Sequence, residues 1–151
     1  MLSIDFETVF SWARGLITDL NLVQLNDSDR EEIQTEWLMR SLSDPRIANL
    51  FSDFTINEEE MKFQVELKNP GNNYSDKLYV IELLALGMTI AWLQPQVDSV
   101  LNTAPMIGGK EEKKILDNHK DSIERLKSLK VQQHKMIRDR GYIKNSYLNG
   151  D

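Results

Sequence analysis

The side chains best able to do chemistry in this chain are its two histidines, because the sequence contains no cysteine. His119 and His134 fall in one segment of helical periodicity, where about 22 Å of axial rise would separate them. Two side chains so far apart cannot bind the same metal ion within one chain. His119 also lies between Leu116 and Ile123 on an apolar face, which favours a packed, hydrogen-bonded histidine over a metal ligand. The absence of cysteine excludes disulfides, thiolate metal sites and cysteine nucleophiles.

Acidic and glycine-rich stretches offer the next candidates for chemistry, and none has the spacing that a known site requires. Residues 58–60 and the pair Asp27 and Asp29 lack the pattern of a calcium loop, so we interpret them as solvated acids and helix caps. The run Gly108-Gly109-Lys110 lacks the upstream glycine and the following Ser or Thr of a phosphate-binding loop. We therefore expect no enzyme, no metal site and no cofactor.

The element that must position any remaining site is a long, nearly all-apolar helix, predicted to begin at about residue 76. Polar side chains recur along it every seven residues and form one narrow stripe. The stripe consists of Ser75, Glu82, Thr89, Gln96 and Thr103. Glu82 is the best candidate for a carboxylate perturbed by burial, but no base or nucleophile accompanies it. We therefore expect Glu82, Thr89 and Gln96 to face a neighbouring subunit.

Further features of this central helix concern its packing. Gly87 and Ala91, four residues apart, would allow another helix to approach closely. Pro95 should kink the helix or split it near Leu93. The apolar segment Tyr79–Leu93 is shorter than the roughly 20 residues of a membrane span and contains an acidic residue. We therefore expect a buried core helix and no membrane partner.

Apolar and polar side chains alternate from Met61 to Leu67, which is the period of a half-buried strand. No second strand is evident nearby, so we expect the pairing partner to belong to another subunit. On this interpretation Met61, Phe63 and Val65 are candidates for a subunit interface. A turn signal over residues 69–73 separates the strand from the central helix.

Helical periodicity in the rest of the chain predicts a mainly α, single-domain protein over residues 1–151. A first helix should cover residues 4–20, and a second should cover 29–43, with Ser28 and Glu31 as a capping box and Pro45 as its stop. Residues 47–54 suggest a short third helix. A loop over 104–109 and a long charged helix over 110–140 complete a bundle with a long central helix, a long C-terminal helix and one extended strand segment.

Charge is divided unevenly along the chain. The net charge of −6 argues against a general binder of nucleic acid or anionic membranes. Residues 1–109 contain 7 basic and 17 acidic side chains, whereas residues 110–151 contain 11 and 7. The apolar face of the C-terminal helix also thins beyond Val131. We therefore expect residues 125–151 to project from the domain as a basic helix end and a docking tail.

Several short motifs occur in a fixed order over about residues 79–149. They are Ala91-Trp92-Leu93-Gln94-Pro95-Gln96-Val97, Gly109-Lys110-Glu111-Glu112-Lys113, Asn118-His119, Leu126-Lys127-Ser128-Leu129-Lys130, Arg138-Asp139-Arg140-Gly141-Tyr142 and Asn145-Ser146-Tyr147-Leu148. In this order they resemble the C-terminal half of neck, or head–tail connector, proteins of tailed bacteriophages. The acidic N-terminal half contributes nothing to the resemblance.

This resemblance implies a structural virion protein that assembles in the host cytoplasm and forms a ring of about a dozen copies beneath the portal. Its partners would be the portal protein and other neck or tail components, with DNA passing close by in the channel. Because C-terminal segments in that family commonly reach onto the portal, the resemblance implies a set of docking candidates. They are Arg125, Lys130, Arg138, Arg140, Tyr142, Asn145 and Tyr147.

A second hypothesis is a small regulatory or nucleic-acid-binding protein that uses the same basic C-terminal helix. It predicts an affinity for DNA that falls steeply as salt is added, because bound phosphates release counterions.

Overall fold

The computed structural model describes residues 1–143, except for the side chains of Leu20, Tyr142 and Ile143. The described part contains seven helices and three strands and is 71% helical, which confirms the mainly α prediction. In chain order the elements are β1 (Leu2–Asp5), α1 (Phe6–Arg14), α2 (Leu20–Gln24), α3 (Asp27–Leu42), α4 (Pro45–Ala48), β2 (Phe51–Asn57), β3 (Lys62–Leu67), α5 (Asn73–Ile107), α6 (Gly109–Asn118) and α7 (Lys120–Ile143).

The predicted strand is β3, the middle strand of an antiparallel sheet with the order β1-β3-β2. Ile4 of β1 pairs with Phe63, and Phe54 of β2 pairs with Val65. The expectation that another subunit supplies the pairing strand is therefore wrong. Phe63 and Val65 are at most 1% exposed in the core of their own chain. Phe63 and Val65 are therefore not subunit contacts. Met61 is half-buried at the β2–β3 turn with a φ of 54°, and its role at an interface stays a prediction.

The N-terminal helices differ from prediction mainly at their ends. α1 begins at Phe6 because residues 2–5 pair with β3 instead. Asn26, not Ser28, caps α3 by accepting a 2.8 Å hydrogen bond from the Asp29 amide. Pro45 begins the short helix α4, where its missing N–H costs little. The predicted third helix over 47–54 is wrong, since Phe51 begins β2.

The central helix α5 contains 35 residues and is about 52 Å long. It begins after Asn72, whose side chain accepts hydrogen bonds from the amides of residues 74 and 75. It continues through Pro95 and Pro105, so of the two predicted alternatives at Pro95 the split near Leu93 is wrong, and the kink stays a prediction. Beside Pro95, the Gln96 side chain donates a 3.0 Å hydrogen bond to the Trp92 carbonyl one turn earlier.

A glycine turn and a second break arrange the rest of the chain along α5. Gly108 and Gly109 have φ values of 72° and 63°, which favour glycine and reverse the chain direction after α5. The predicted helix over 110–140 is interrupted at His119, which separates α6 from α7. His119 is exposed, and its Nδ1 lies 2.9 Å from the carbonyl oxygen of Ile115, to which it donates. It is hydrogen-bonded as expected but is not packed.

The core surrounds the first two thirds of α5, which packs against α1, α3, α7 and β1. The innermost side chains of α5 include Leu83, Leu84 and Met88, all 0% exposed. α7 belongs to the same core, because Leu126, Leu129 and Arg140 are buried. The predicted projection is therefore wrong for residues 125–141, and residues 144–151 lie outside the described part. By length and composition α5 could span a membrane, but 61% of its most apolar window is buried within the protein.

Candidate partner-binding surfaces

The polar stripe of α5 does not form one surface. Thr89 is 0% exposed, and its hydroxyl donates a 2.9 Å hydrogen bond to the carbonyl of Ala85 one turn earlier. Thr89 is therefore satisfied inside its own chain and is not a subunit contact, contrary to prediction. Glu82 and Gln96, seven residues or about two turns before and after Thr89, are exposed. The role expected for them at a subunit interface stays a prediction.

Gly87 provides the close helix approach that its spacing predicts. A Cβ at this position would lie 2.0 Å from Oγ and 2.9 Å from Cβ of Ser41 on α3. Because no side chain fits there, α3 lies directly against the backbone of α5. The Ser41 hydroxyl donates a long, 3.4 Å hydrogen bond to the Leu84 carbonyl in this contact. Two surface grooves flank α7 where it packs on this region.

The first groove, which we call the apolar groove, lies between α1, α5 and α7 and has a volume of about 400 Å³. Its apolar lining includes Trp12 and Leu16, which are 42% and 39% exposed. Leu86 and Leu129 form its floor. Glu82 is the only charged side chain among the described residues that line it. A groove of this composition suits an apolar side chain accompanied by a cation.

The second groove, which we call the charged groove, lies between α3, α4, α5 and α7 and has a volume of about 430 Å³. Arg40, Arg46 and Lys130 line it together with Asp44 and Asp98. Burial tends to raise the pKa of Asp44, but hydrogen bonds and charge from Arg46 outweigh this and hold that pKa below its usual value. Arg46 also hydrogen-bonds to His134 and so joins α4 to α7.

The solvent-facing side of α7 carries a basic stripe, which consists of Lys127, Lys130, His134 and Arg138. Their spacing of three and four residues places them on one face of the helix. All four side chains are exposed. Lys130 also lines the charged groove, His134 is the partner of Arg46, and Arg138 contacts Asp139. The structure therefore leaves Lys130 and Arg138 accessible, as docking would require.

Arg125 and Arg140, the other two arginines among the docking candidates, are engaged within the chain. Arg125 donates hydrogen bonds to the Leu16 carbonyl and to the Thr18 hydroxyl, and its guanidinium lies 5.7 Å from the centre of the Trp92 ring. These contacts anchor the start of α7 to the chain after α1. Arg125 is therefore a packing residue in this structure.

Arg140 forms the most buried ion pair of the described residues. Its Nη2 lies 2.8 Å from Oδ1 of Asp76, and the two side chains are 9% and 4% exposed. Arg140 also donates to the Asn69 carbonyl at 2.7 Å, and Asp76 accepts from the Gly71 amide at 2.8 Å. The predicted docking role of Arg140 is therefore wrong, because its guanidinium ties the end of α7 to the start of α5.

Tyr79 completes the connection between these helix ends. Its hydroxyl donates a 3.0 Å hydrogen bond to the Met136 carbonyl, and the Arg140 guanidinium lies 5.2 Å from the centre of its ring. Burial raises the pKa of the Tyr79 hydroxyl to about 12, although the charge of Arg140 acts in the opposite direction. The hydroxyl is thus a stable donor at neutral pH. Tyr142, Asn145 and Tyr147, the remaining docking candidates, have side chains outside the described part.

Sequence reasoning missed the exposed apolar side chains at the far end of α5, whose last residues it assigned to a loop over 104–109. We call this end the helical tip; it consists of Leu101, Met106 and Ile107, which are 44%, 85% and 53% exposed. The missed signal was the continuation of helical periodicity past Pro105. Leu16 lies within the helix predicted over residues 4–20, but α1 ends at Arg14 and leaves Leu16 at the rim of the apolar groove.

Within residues 1–143, no group of three or more His, Asp or Glu side chains could hold a metal ion. Comparison with known proteins gave no match: no family model, no curated protein and no solved structure is similar to this chain. Function must therefore be inferred from the surfaces and the sequence motifs.

Proposed function

We propose that this chain is a structural protein of a tailed-bacteriophage neck, an adaptor that assembles as a ring between the portal and the tail. The observation that carries the proposal is the basic stripe of α7. It faces solvent along the helix that leads into the tail, and the resemblance assigns that tail to the portal. Lys130 and Arg138, two of the docking candidates, lie on this stripe and are exposed.

The charge distribution supports a role in assembly. The 17 acidic and 7 basic side chains of residues 1–109 contrast with the 7 and 11 of residues 110–151. Copies arranged around a ring can therefore place the basic face of one chain near an acidic face of the next. Such complementarity chiefly sets register and partner choice, and adds less to affinity.

Incorporation into phage particles tests the docking role. Because α7 is helical to Ile143, a truncation after Ile143 removes the tail without cutting the described helix. We expect this truncation to leave the thermal unfolding midpoint unchanged and to reduce incorporation to background, measured by quantitative blotting of purified particles. The control is the full-length chain produced at the same level.

Charge reversal tests the contribution of the basic stripe independently of the contribution of the tail. The triple variant Lys127→Glu, Lys130→Glu and Arg138→Glu should lower incorporation at least about tenfold, since it places like charges against an acidic partner. The matched control reverses Lys62, Lys68 and Lys77, which are also exposed but lie on β3 and α5 or next to them. The neck assignment would be contradicted if both triple variants and the truncated chain were incorporated at the level of the native chain.

The nucleic-acid hypothesis is favoured by the same stripe, because basic side chains at this spacing can follow a phosphate backbone. It predicts binding of the purified chain to duplex DNA with a logarithmic salt slope of roughly −3 for three or four phosphate contacts. A gel-shift series from low to physiological salt measures this slope. Absence of binding at low salt would eliminate the hypothesis and leave the neck proposal unaffected.

A further inference from the structure

The helical tip and the apolar groove are two exposed apolar surfaces of opposite shape. The tip is convex, since α5 turns back into α6 there and presents Met106, which is 85% exposed, at its end. The groove is concave and is bordered by Trp12 and Leu16. Methionine is unbranched and adapts to irregular apolar sites, and tryptophan is enriched where binding energy concentrates at interfaces.

The tip cannot reach the groove of its own chain. Both belong to α5, with Glu82 and Leu86 in the groove and Met106 at the tip. Twenty or more residues of continuous helix place them roughly 30 Å apart along the axis. Contact between these surfaces therefore requires two molecules.

A cation at the tip, which Glu111 and Glu112 follow directly in α6, has the opposite charge to a carboxylate in the groove. Glu82 is the only charged side chain among the described residues that line the groove. At the tip, Lys110 is exposed and follows Ile107 by three residues, at the start of α6. A tip seated in the groove can therefore bring an ammonium group towards the one carboxylate there. Such a pair favours this orientation of the two molecules over others.

We propose that the groove between α1, α5 and α7 binds the helical tip of a second copy of this chain, with Met106 and Ile107 inserted between Trp12 and Leu129 and Lys110 beside Glu82. The contact joins different surfaces of two identical molecules, so each copy keeps one free tip and one free groove. Repetition of such a head-to-tail contact closes into a ring when the rotation per copy permits, and otherwise extends as a filament. In the ring of the proposed neck protein, this contact would be the interface between neighbouring subunits. That part of the inference rests on the proposed function.

Cysteine cross-linking tests the contact directly, because the chain contains no cysteine of its own. Two single variants, Met106→Cys at the tip and Gln132→Cys in the wall of the groove, are mixed in equal amounts and oxidised. A disulfide needs Cα atoms within about 7 Å, so a covalent heterodimer forms only if tip and groove meet. Val131→Cys is the matched control, because Val131 is adjacent and 68% exposed but does not line the groove. We expect a heterodimer with Gln132→Cys and none with Val131→Cys.

Charge exchange tests the pairing of Lys110 with Glu82. Sedimentation velocity over a concentration series should show association of the native chain, and Glu82→Lys or Lys110→Glu alone should raise the dissociation constant about tenfold, the scale of one interfacial charge pair. The double exchange should restore it to within about threefold of the native value. Because Glu82 and Lys110 are both exposed, each variant should keep the circular dichroism spectrum and the unfolding midpoint of the native chain.

The outcomes also separate this inference from the neck assignment. A chain that stays monomeric and gives no tip-to-groove cross-link overturns the inference, while incorporation into particles tests the neck assignment by itself. Deletion of residues 144–151 should leave the association unchanged. If that deletion changes self-association while the tip variant Met106→Ser with Ile107→Ser does not, the tail occupies the groove and the inference is overturned.

Discussion

The two ends of α5 belong to one continuous helix but have very different surroundings. Along residues 73–97 the helix is enclosed by α1, α3, α7 and β1, and consecutive side chains from Leu83 to Thr89 are buried. Along residues 98–107 only Ala104 is buried, and α6, which has no buried residue, folds back beside this end. One end of α5 therefore holds the fold together, and the other end stays exposed to solvent.

The difference follows from the number of neighbouring elements that pack around each end of the helix. Full burial of a large apolar side chain contributes roughly 1.5–3 kcal/mol, so the enclosed end supplies much of the folding free energy. Met106 and Ile107 contribute little of this, since they are 85% and 53% exposed. Changes at the enclosed end should therefore lower stability, whereas changes at the tip should affect association.

The largest expected effect comes from breaking the buried pair that closes the enclosed end. Arg140→Met should lower the free energy of unfolding by about 3–5 kcal/mol, because it leaves the Asp76 carboxylate buried without its cation. Urea unfolding followed by tryptophan fluorescence measures the loss. Replacing both partners, Asp76→Leu with Arg140→Met, should recover part of it.

The control for this prediction is Arg138→Met, two residues earlier on the same helix. The Arg138 side chain is 62% exposed, and its only ion pair among the described residues is a 3.5 Å contact with the neighbouring Asp139. Its loss should change the free energy of unfolding by no more than about 0.5 kcal/mol. Equal losses for Arg138→Met and Arg140→Met would show that the pair of Arg140 with Asp76 does not hold the end of α7 against the start of α5.

A smaller effect is expected from the close contact between α3 and α5. Gly87→Ala should destabilise the protein by about 1–3 kcal/mol, because the new Cβ would lie 2.0 Å from the Ser41 hydroxyl and force the helices apart. Ser41→Gly should relieve most of the strain in the double variant. Gly141→Ala is the control: nothing lies within 4 Å of its added Cβ, and alanine should there stabilise the helix slightly. A neutral Gly87→Ala would mean that the two helices are not in direct contact.

The smallest effect concerns Asp44 and its pH dependence. Its pKa lies below the usual 3.8 in the folded protein, so its contribution to stability is present above that pH and is lost as the pH falls through the folded value. Asp44→Asn keeps a side-chain oxygen to cap α4 but removes the charge beside Arg46. We expect a loss below about 1 kcal/mol at pH 6, since solvent screens the half-exposed partner, and a smaller loss at pH 3. A loss of the same size at both pH values would assign the effect to packing.

The elements α5 and β3 show most clearly how much of the fold could be predicted from the sequence. The long apolar run and the strict alternation are local patterns, so both elements could be read directly from neighbouring residues. The strand partner could not be, because β1 has only four residues and continues into the pattern of α1. Pairing of Leu2 with Val65 joins residues 63 positions apart (65 − 2), which no local pattern contains.

The same distinction applies to the candidate surfaces. Lys130 and Arg138 were found from the basic composition of the C-terminal segment and from the resemblance, and the structure leaves both side chains exposed. Arg140 has the same residue type and lies in the same basic run, but it meets Asp76 from 64 residues away. The apolar groove was not predicted, since its walls come from three helices that are distant in sequence.

By itself, the sequence determined the helical class, the central helix, the middle strand, the absence of cysteine chemistry and the division of charge. These are set by residue type and by spacing within one element. Only the tertiary structure decided which arginine is buried, where β3 finds its partners and which apolar side chains stay exposed. The physical reason is that burial and pairing depend on the neighbours that a folded chain brings together, and those neighbours are distant in the sequence.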